Sequence, residues 1–182
     1  MSVAPSMLSS SPPPHLEAEP ATERAFRDLV RTIGLLERVM QPQFARFGIS
    51  GSQWAALRVL HRAEQEGLDG LRITDLSDKL LIRPPSVTGV IDRLERIHLV
   101  VRDQSHDDLR SRQVRLTDTG RQLVTQVTGV YASQVERALG GLVPNDQHEL
   151  QRLLGRLSAH LQSLLDESNG AVPAQAGTEM NV

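Results

Sequence analysis

Between Leu71 and Gly120 the spacing of apolar residues switches from a helical to an alternating pattern, with two prolines at one break and a polar stretch at the next. A run in that order closes a small core as a short helix, a turn, a second helix and a hairpin. The first helix is predicted from Ile73-Thr74-Asp75, with Thr74 capping the orphan amides, Asp75 at the positive end of the dipole, and Ile73, Leu76 and Leu80 at spacings of three and four. Pro84 and Pro85 fit only a turn or the first turn of a new helix, so the second helix is expected to start at one of them.

In that second helix Val87, Val90, Ile91, Leu94 and Ile97 form one stripe at 100° per residue, which predicts a core-facing side. The opposite side carries Pro85, Thr88, Gly89, Asp92, Arg93 and Arg96. Small and hydroxyl-bearing residues near its start, Ser86 among them, let a backbone approach a groove, and arginines, with Arg83 just ahead of the helix, can reach phosphates. The bland reading is solvated intrahelical ion pairing, for which the Asp92 to Arg96 spacing is suited. Leu99 to Asp103 and Gln113 to Leu116 then read as two short strands around the polar stretch 104–111. Arg110 and Arg112 belong to that loop, where an arginine can enter a minor groove while a nearby carboxylate steadies it.

The segments Leu76-Ser77-Asp78-Lys79-Leu80, Ser86 to Glu95, Asp108-Leu109-Arg110-Ser111 and Leu116-Thr117-Asp118-Thr119-Gly120 together resemble the MarR family of bacterial transcription regulators, over about Glu23 to Asp166. The pairing of Asp-x-Arg in the wing with Leu-Thr-x-x-Gly is more specific than a bare helix-turn-helix pattern. His98 stands where that family usually has glycine, which implies a slightly reshaped helix end. The doublet Pro84-Pro85 is stiffer than the usual turn, so Thr88 is expected to contact a base ahead of Pro85.

The resemblance implies a mainly α fold with a small β-hairpin wing, a winged helix-turn-helix flanked by N- and C-terminal dimerisation helices. Residues 22–167 form the domain, with 22–47 and 117–167 dimerising and 50–116 binding DNA; 1–21 and 168–182 are expected to be disordered tails, rich in Ser, Pro, Gly and Ala. Double-stranded DNA is the implied partner, a pseudo-palindromic operator read by a homodimer with half-sites about 10 base pairs apart. The DNA-binding residues are then Arg83, Pro85, Ser86, Thr88, Gly89, Arg93, Arg96, Arg110 and Arg112. Repression relieved by a small-molecule effector, in the family often a small aromatic anion, completes the implied function. No sequence feature assigns its ligand-binding residues, although Trp54 and His61 would border the family's cleft; Trp54 reads more readily as core.

The flanking segments fit this plan. Phe26, Leu29, Val30, Ile33, Leu36, Met40, Phe44 and Phe47 recur at helical spacing, with Pro42 expected to kink or interrupt the run. Ser50 to Gln53 reads as a capping box, Thr117 as the cap of a long helix ended by Gly140-Gly141, and Pro144 as the first residue of a last one. That last helix carries Leu150, Leu153, Leu154, Leu157, Leu161, Leu164 and Leu165, a stripe that serves either a core within the chain or a dimer interface.

Composition narrows the alternatives. The formal net charge is −2, whereas residues 71–117 hold nine Arg and Lys against seven Asp and Glu, a local excess of two positive charges. Absence of cysteine excludes disulfides and thiol sensing. Asp103, His106, Asp107 and Asp108 lack a second nearby histidine and have arginine neighbours, so no metal is expected there, and no cofactor elsewhere. Neither a phosphate loop, a nucleophile elbow nor a paired-histidine motif occurs, which argues against an enzyme. Apolar runs are too short to span a bilayer and no signal-peptide pattern is present, so a cytoplasmic protein is expected. The rival function is a winged-helix protein-interaction module without DNA binding. The wing arginine and the hydroxyls favour DNA, because a protein-docking face there would be more apolar.

Overall fold

A computed structural model of the chain describes residues 20–104 and 112–170. Both expected tails fall almost wholly outside the described residues, as does the centre of the wing loop with Arg110, His106, Asp107 and Asp108. Six helices and one hairpin follow in the order α1 (Ala21–Ala45), α2 (Gly51–Gln65), α3 (Ile73–Leu80), α4 (Pro84–Arg96), β1 (Val100–Gln104), β2 (Arg112–Leu116), α5 (Asp118–Leu139) and α6 (Pro144–Gly170). This is the mainly α architecture with a hairpin wing that the sequence predicts. The chain packs as two units, one through Val127 and one from Thr128 onward.

In the first unit the helix starts obey local chemistry. The Ser50 hydroxyl accepts the Gln53 amide at 3.2 Å while the Gln53 side chain accepts the Ser50 amide at 2.8 Å, the expected capping box. At α3 the expectation fails: Arg72, not Thr74, precedes the helix, and Asp75 reaches back to the Arg72 amide at 3.2 Å and its guanidinium at 2.9 Å. Asp75 sits at the third helical position, where a carboxylate reaches the orphan amide and the dipole, so it displaces Thr74 from the task. Pro42 does not interrupt α1, because it falls in the last turn, and its carbonyl still accepts the Arg46 amide at 3.4 Å.

Four helices end alike. At Gly48, Gly67, Leu81 and His98 the chain turns left-handed, and the next amide returns to the carbonyl five residues back. His98 donates its amide to Glu95 O at 2.9 Å and Leu99 to Leu94 O at 3.0 Å. The end of α4 is therefore a regular left-handed cap and not a reshaped one, with the strain carried by histidine in a conformation glycine adopts freely.

The core of this unit gathers Phe44, Trp54, Leu57 and Leu60 from α1 and α2, Leu76 from α3, Val87, Ile91 and Leu94 from α4, Val114 and Leu116 from β2, and Val124 and Val127 from α5. Trp54 is core, its ring centroid 6.1 Å from that of Phe44. Ile97 departs from the expected stripe and is 44% exposed, since α4 has ended at Arg96. In the antiparallel hairpin Val100 pairs with Leu116, Arg102 with Val114 and Gln104 with Arg112. Leu71 adds a single bridge to Val114 through bonds of 3.1 and 2.8 Å. Arg112 is thus a strand residue and not part of the loop.

Thr117 joins the hairpin to α5. Its hydroxyl donates to the His98 carbonyl at 2.8 Å and accepts the Gly120 amide at 3.0 Å, so one side chain closes α4 and caps α5. Gly120 is required by the same approach: a Cβ there would lie 2.1 Å from the Leu99 carbonyl oxygen.

In the second unit α5 completes its course, the chain turns at Gly140-Gly141, and Pro144 opens α6. The Gln147 amide group holds the turn by donating to Leu139 O at 3.3 Å and Leu142 O at 3.1 Å. Seven leucines of α6, Leu150 to Leu165, are exposed within the single chain. Helix α6 runs on to Gly170, so Ser168, Asn169 and Gly170, expected to be disordered, are helical. On α1, in the first unit, Phe26, Val30, Ile33, Leu36 and Val39 are likewise exposed, and burial begins only at Met40 and Phe44. No helix among the described residues is long and apolar enough to cross a membrane.

Candidate nucleic-acid interface

Helix α4 is set by its first turn. Arg83 is the N-cap in extended conformation and its carbonyl accepts the Ser86 and Val87 amides at 2.9 and 3.2 Å. Pro84 and Pro85 occupy the next two positions, where a missing N–H leaves no orphan donor. The turn before it is braced by Ser77, whose buried hydroxyl donates to Ile82 O at 2.5 Å.

Burial of Val87, Val90, Ile91 and Leu94 fixes the rotation of α4 and turns the opposite side outward. Arg83, Pro85, Ser86, Thr88, Arg93 and Arg96 are all exposed there, and Gly89 is half-buried. The Thr88 hydroxyl donates to Pro84 O at 3.1 Å, and its oxygen keeps its capacity to accept on an exposed side chain. A Cβ on Gly89 would meet only the Arg93 guanidinium, Nη1 lying 3.7 Å away. The Arg93 side chain therefore folds back over Gly89 toward the start of the helix, the direction helical side chains lean. Arg112, on β2, is exposed as well. The structure thus brings Pro85, Ser86, Thr88, Gly89, Arg93 and Arg96 onto one helix with Arg83 at its N-cap, while Arg110 lies outside the described residues.

The intrahelical pair of Asp92 with Arg96 does not form. Arg102 of β1 takes both carboxylates of α4, Asp92 at 2.5 Å and Glu95 at 2.5 Å, and its amide adds a bond to Glu95 at 3.4 Å. Among the described residues no ion pair engages Arg83, Arg93 or Arg96. Sequence reading treated Arg102 as an ordinary strand residue; the signal was its place two residues beyond buried Val100, hence on the inward side of the hairpin.

Around the base of the wing the remaining charges pair internally. Arg115 bridges Asp103, which therefore has a partner other than a metal. Arg121 binds Glu64 at 2.9 Å and Asp118 at 2.6 Å, and the bond to Glu64 raises its already high pKa further. A cleft of about 350 Å³ between Glu64, Gly67, Leu68, Asp69, Arg115 and Arg121 holds the Arg121–Glu64 pair and the Arg115 guanidinium, whose buried Nε has no hydrogen-bond partner among the described residues. Beside α3, the Arg72 guanidinium holds the Asp75 carboxyl below the usual aspartate value.

Comparison with known proteins meets the same region. Residues 49–111 match the model of the MarR family. A helix-turn-helix transcriptional regulator of Bacillus subtilis strain 168, YkoM, is 32% identical over 118 residues, covering 65% of this chain and 73% of its own length. Among solved structures, AbsC, a MarR family transcriptional regulator from Streptomyces coelicolor, superposes with a TM-score of 0.70 at 25% identity, over 79% of this chain and 97% of its own. MepR of S. aureus, solved in complex with DNA, shares the fold with a TM-score of 0.65 at 21% identity, over 78% and 99% of the two chains. So does BpsR of Bordetella bronchiseptica, described for regulation of its DNA binding by 6-hydroxynicotinic acid, with a TM-score of 0.66 at 23% identity over 74% and 98%.

Proposed function

Because this chain belongs to the MarR family of transcriptional regulators, we propose that it binds a pseudo-palindromic operator as a homodimer, each protomer laying α4 in a major groove. The observation that carries this reading is the outward side of α4 and its N-cap: exposed Arg93 and Arg96 on the helix and exposed Arg83 just ahead of it, none with a carboxylate partner among the described residues, beside a threonine and a glycine. Arginines at that reach suit phosphate oxygens and guanine edges, and Thr88 with Gly89 admits the close approach that base contact needs. Arg110 and Arg112 are assigned to the wing's contact with the flanking minor groove and backbone, Arg110 on its motif alone.

The exposed apolar positions of α1 and the leucine stripe of α6 support a dimer, since either stripe left in water is a liability. Operator occupancy is proposed to repress transcription and to be relieved by a small aromatic anion, a reading supported by the fold likeness to BpsR. Such a ligand lowers DNA affinity by the coupling free energy between the two sites, typically about 1 to 3 kcal/mol. Selection from random duplex DNA at near-physiological salt tests the reading, because that salt suppresses backbone-only binding. Enrichment of a two-fold symmetric site is expected, and a folded protein that enriches no sequence refutes it in favour of a protein-interaction module.

A further inference from the structure

We propose that Arg102 is a positioning residue for DNA recognition: it holds the two carboxylates of α4 away from the phosphates and leaves Arg96 available to them. The inference rests on the reading of α4 as the DNA-contacting helix.

At 100° per residue Asp92 lies about 40° from Arg96 on one side and about 60° from Glu95 on the other. Asp92 therefore has two candidate cations, Arg96 one turn along its own helix and Arg102 on the hairpin. Arg102 prevails because it is held. Its side chain is only 20% exposed, on the inward side of a strand whose register is fixed by pairing with Val114, and Glu95 grips both its amide and its guanidinium. Asp92 and Glu95 are 47% and 39% exposed, so their charge is open to a polyanion approaching α4. A guanidinium between them neutralises much of what would be a double negative charge on the DNA-facing helix. The same bonds join the base of the wing to α4, which ties the two elements that would enter adjacent grooves.

Removing Arg102 has two consequences. The carboxylates regain their field, and Asp92 becomes the natural partner of Arg96 at the i,i+4 spacing. The test measures affinity of the full-length protein for a duplex selected by the wild-type chain, across a salt series, with thermal unfolding as the control for folding. Arg102→Ala should weaken binding roughly 10- to 100-fold, the range for loss of an arginine contact. The slope of log K against log salt should become shallower by about one per protomer, as Arg96 leaves its phosphate. The triple variant Asp92→Asn, Glu95→Gln, Arg102→Ala should regain most of the affinity and the slope, although the tether to the wing is still missing. If Arg102→Ala does not fold, the double variant Asp92→Asn, Glu95→Gln carries the test, binding at least as tightly as the wild type with an unchanged slope. Failure of the triple variant to recover, or a double variant weakened more than about tenfold, overturns the proposal and leaves Arg102 a structural strut. A wild-type chain that binds no duplex overturns instead the assignment of α4 to DNA, and the inference with it.

Discussion

Replacing Gly120 by alanine tests how tightly the wing, α4 and α5 are locked together. The new methyl would stand 2.1 Å from the Leu99 carbonyl oxygen, 3.1 Å from its carbon and 3.3 Å from Leu116 Cδ2. Even a close C···O contact is about 3.3 Å, so the two backbones must separate by about 1 Å. Separation strains two bonds at once: the Thr117 amide donates to that same oxygen at 3.1 Å, and the Gly120 amide donates to the Thr117 hydroxyl at 3.0 Å. Overpacking of this kind costs about 1 to 3 kcal/mol and loss of an N-cap about 1 kcal/mol. Against this, alanine returns up to about 1 kcal/mol of helix propensity. The net loss is about 2 kcal/mol, which for a chain of this size lowers Tm by about 4 to 8 °C. Thermal unfolding followed by helical circular dichroism, at one fixed protein concentration so that any dimerisation contributes equally, reads this directly. A variant within about 2 °C of wild type would refute the close approach and with it the physical reason for glycine in the Leu-Thr-x-x-Gly motif.

Four further outcomes are expected. His98→Gly keeps both bonds of the α4 cap and removes a left-handed side chain, so it should raise stability by up to about 1 kcal/mol; a loss in urea unfolding would contradict the strain argument. Asp75 has its folded pKa depressed below the ordinary 3.8 by Arg72, so its contribution is present above that pH and fades as pH falls through the folded value. Asp75→Asn should therefore lose less stability than wild type between pH 5 and pH 2 (roughly the span over which a depressed carboxylate titrates), and equal acid slopes would contradict it. Arg110→Ala should weaken binding to a selected operator by about 1 to 3 kcal/mol in fluorescence anisotropy, and an unchanged Kd would remove its assigned role. Light scattering should return about twice the 20.1 kDa chain mass, whereas a monomer at micromolar concentration would leave the α6 leucine stripe without its proposed cover.

What could be read in advance was whatever the chain decides within one turn. The Ser50 capping box, a helix opening at Pro84 or Pro85, Pro144 as a helix opener, Thr117 as a cap and the buried side of α4 are encoded by neighbours three or four residues apart. Competition between neighbours was harder to resolve: Asp75 and Thr74 both suit a helix start, and only position decided for Asp75. Pro42 looked disruptive because its distance from the end of α1 was not known. Arg102 is harder to assign for a different reason: the alternation with Val100 marks it as inward, but its partners are seven and ten residues away and the local i,i+4 rule offers Asp92 to Arg96 instead. The outward residues of α4 were nevertheless placed correctly, because the four buried apolar positions fix the helix rotation whatever the charges do.

Hydroxyl-radical footprinting of the full-length protein on a duplex it selects tests most directly that α4 and the wing of two protomers read DNA. Two protected blocks are predicted, related by a two-fold axis with centres about 10 base pairs apart, each with protection of the flanking minor groove. A single block, or uniform protection along the duplex, would contradict a symmetric pair of reading helices.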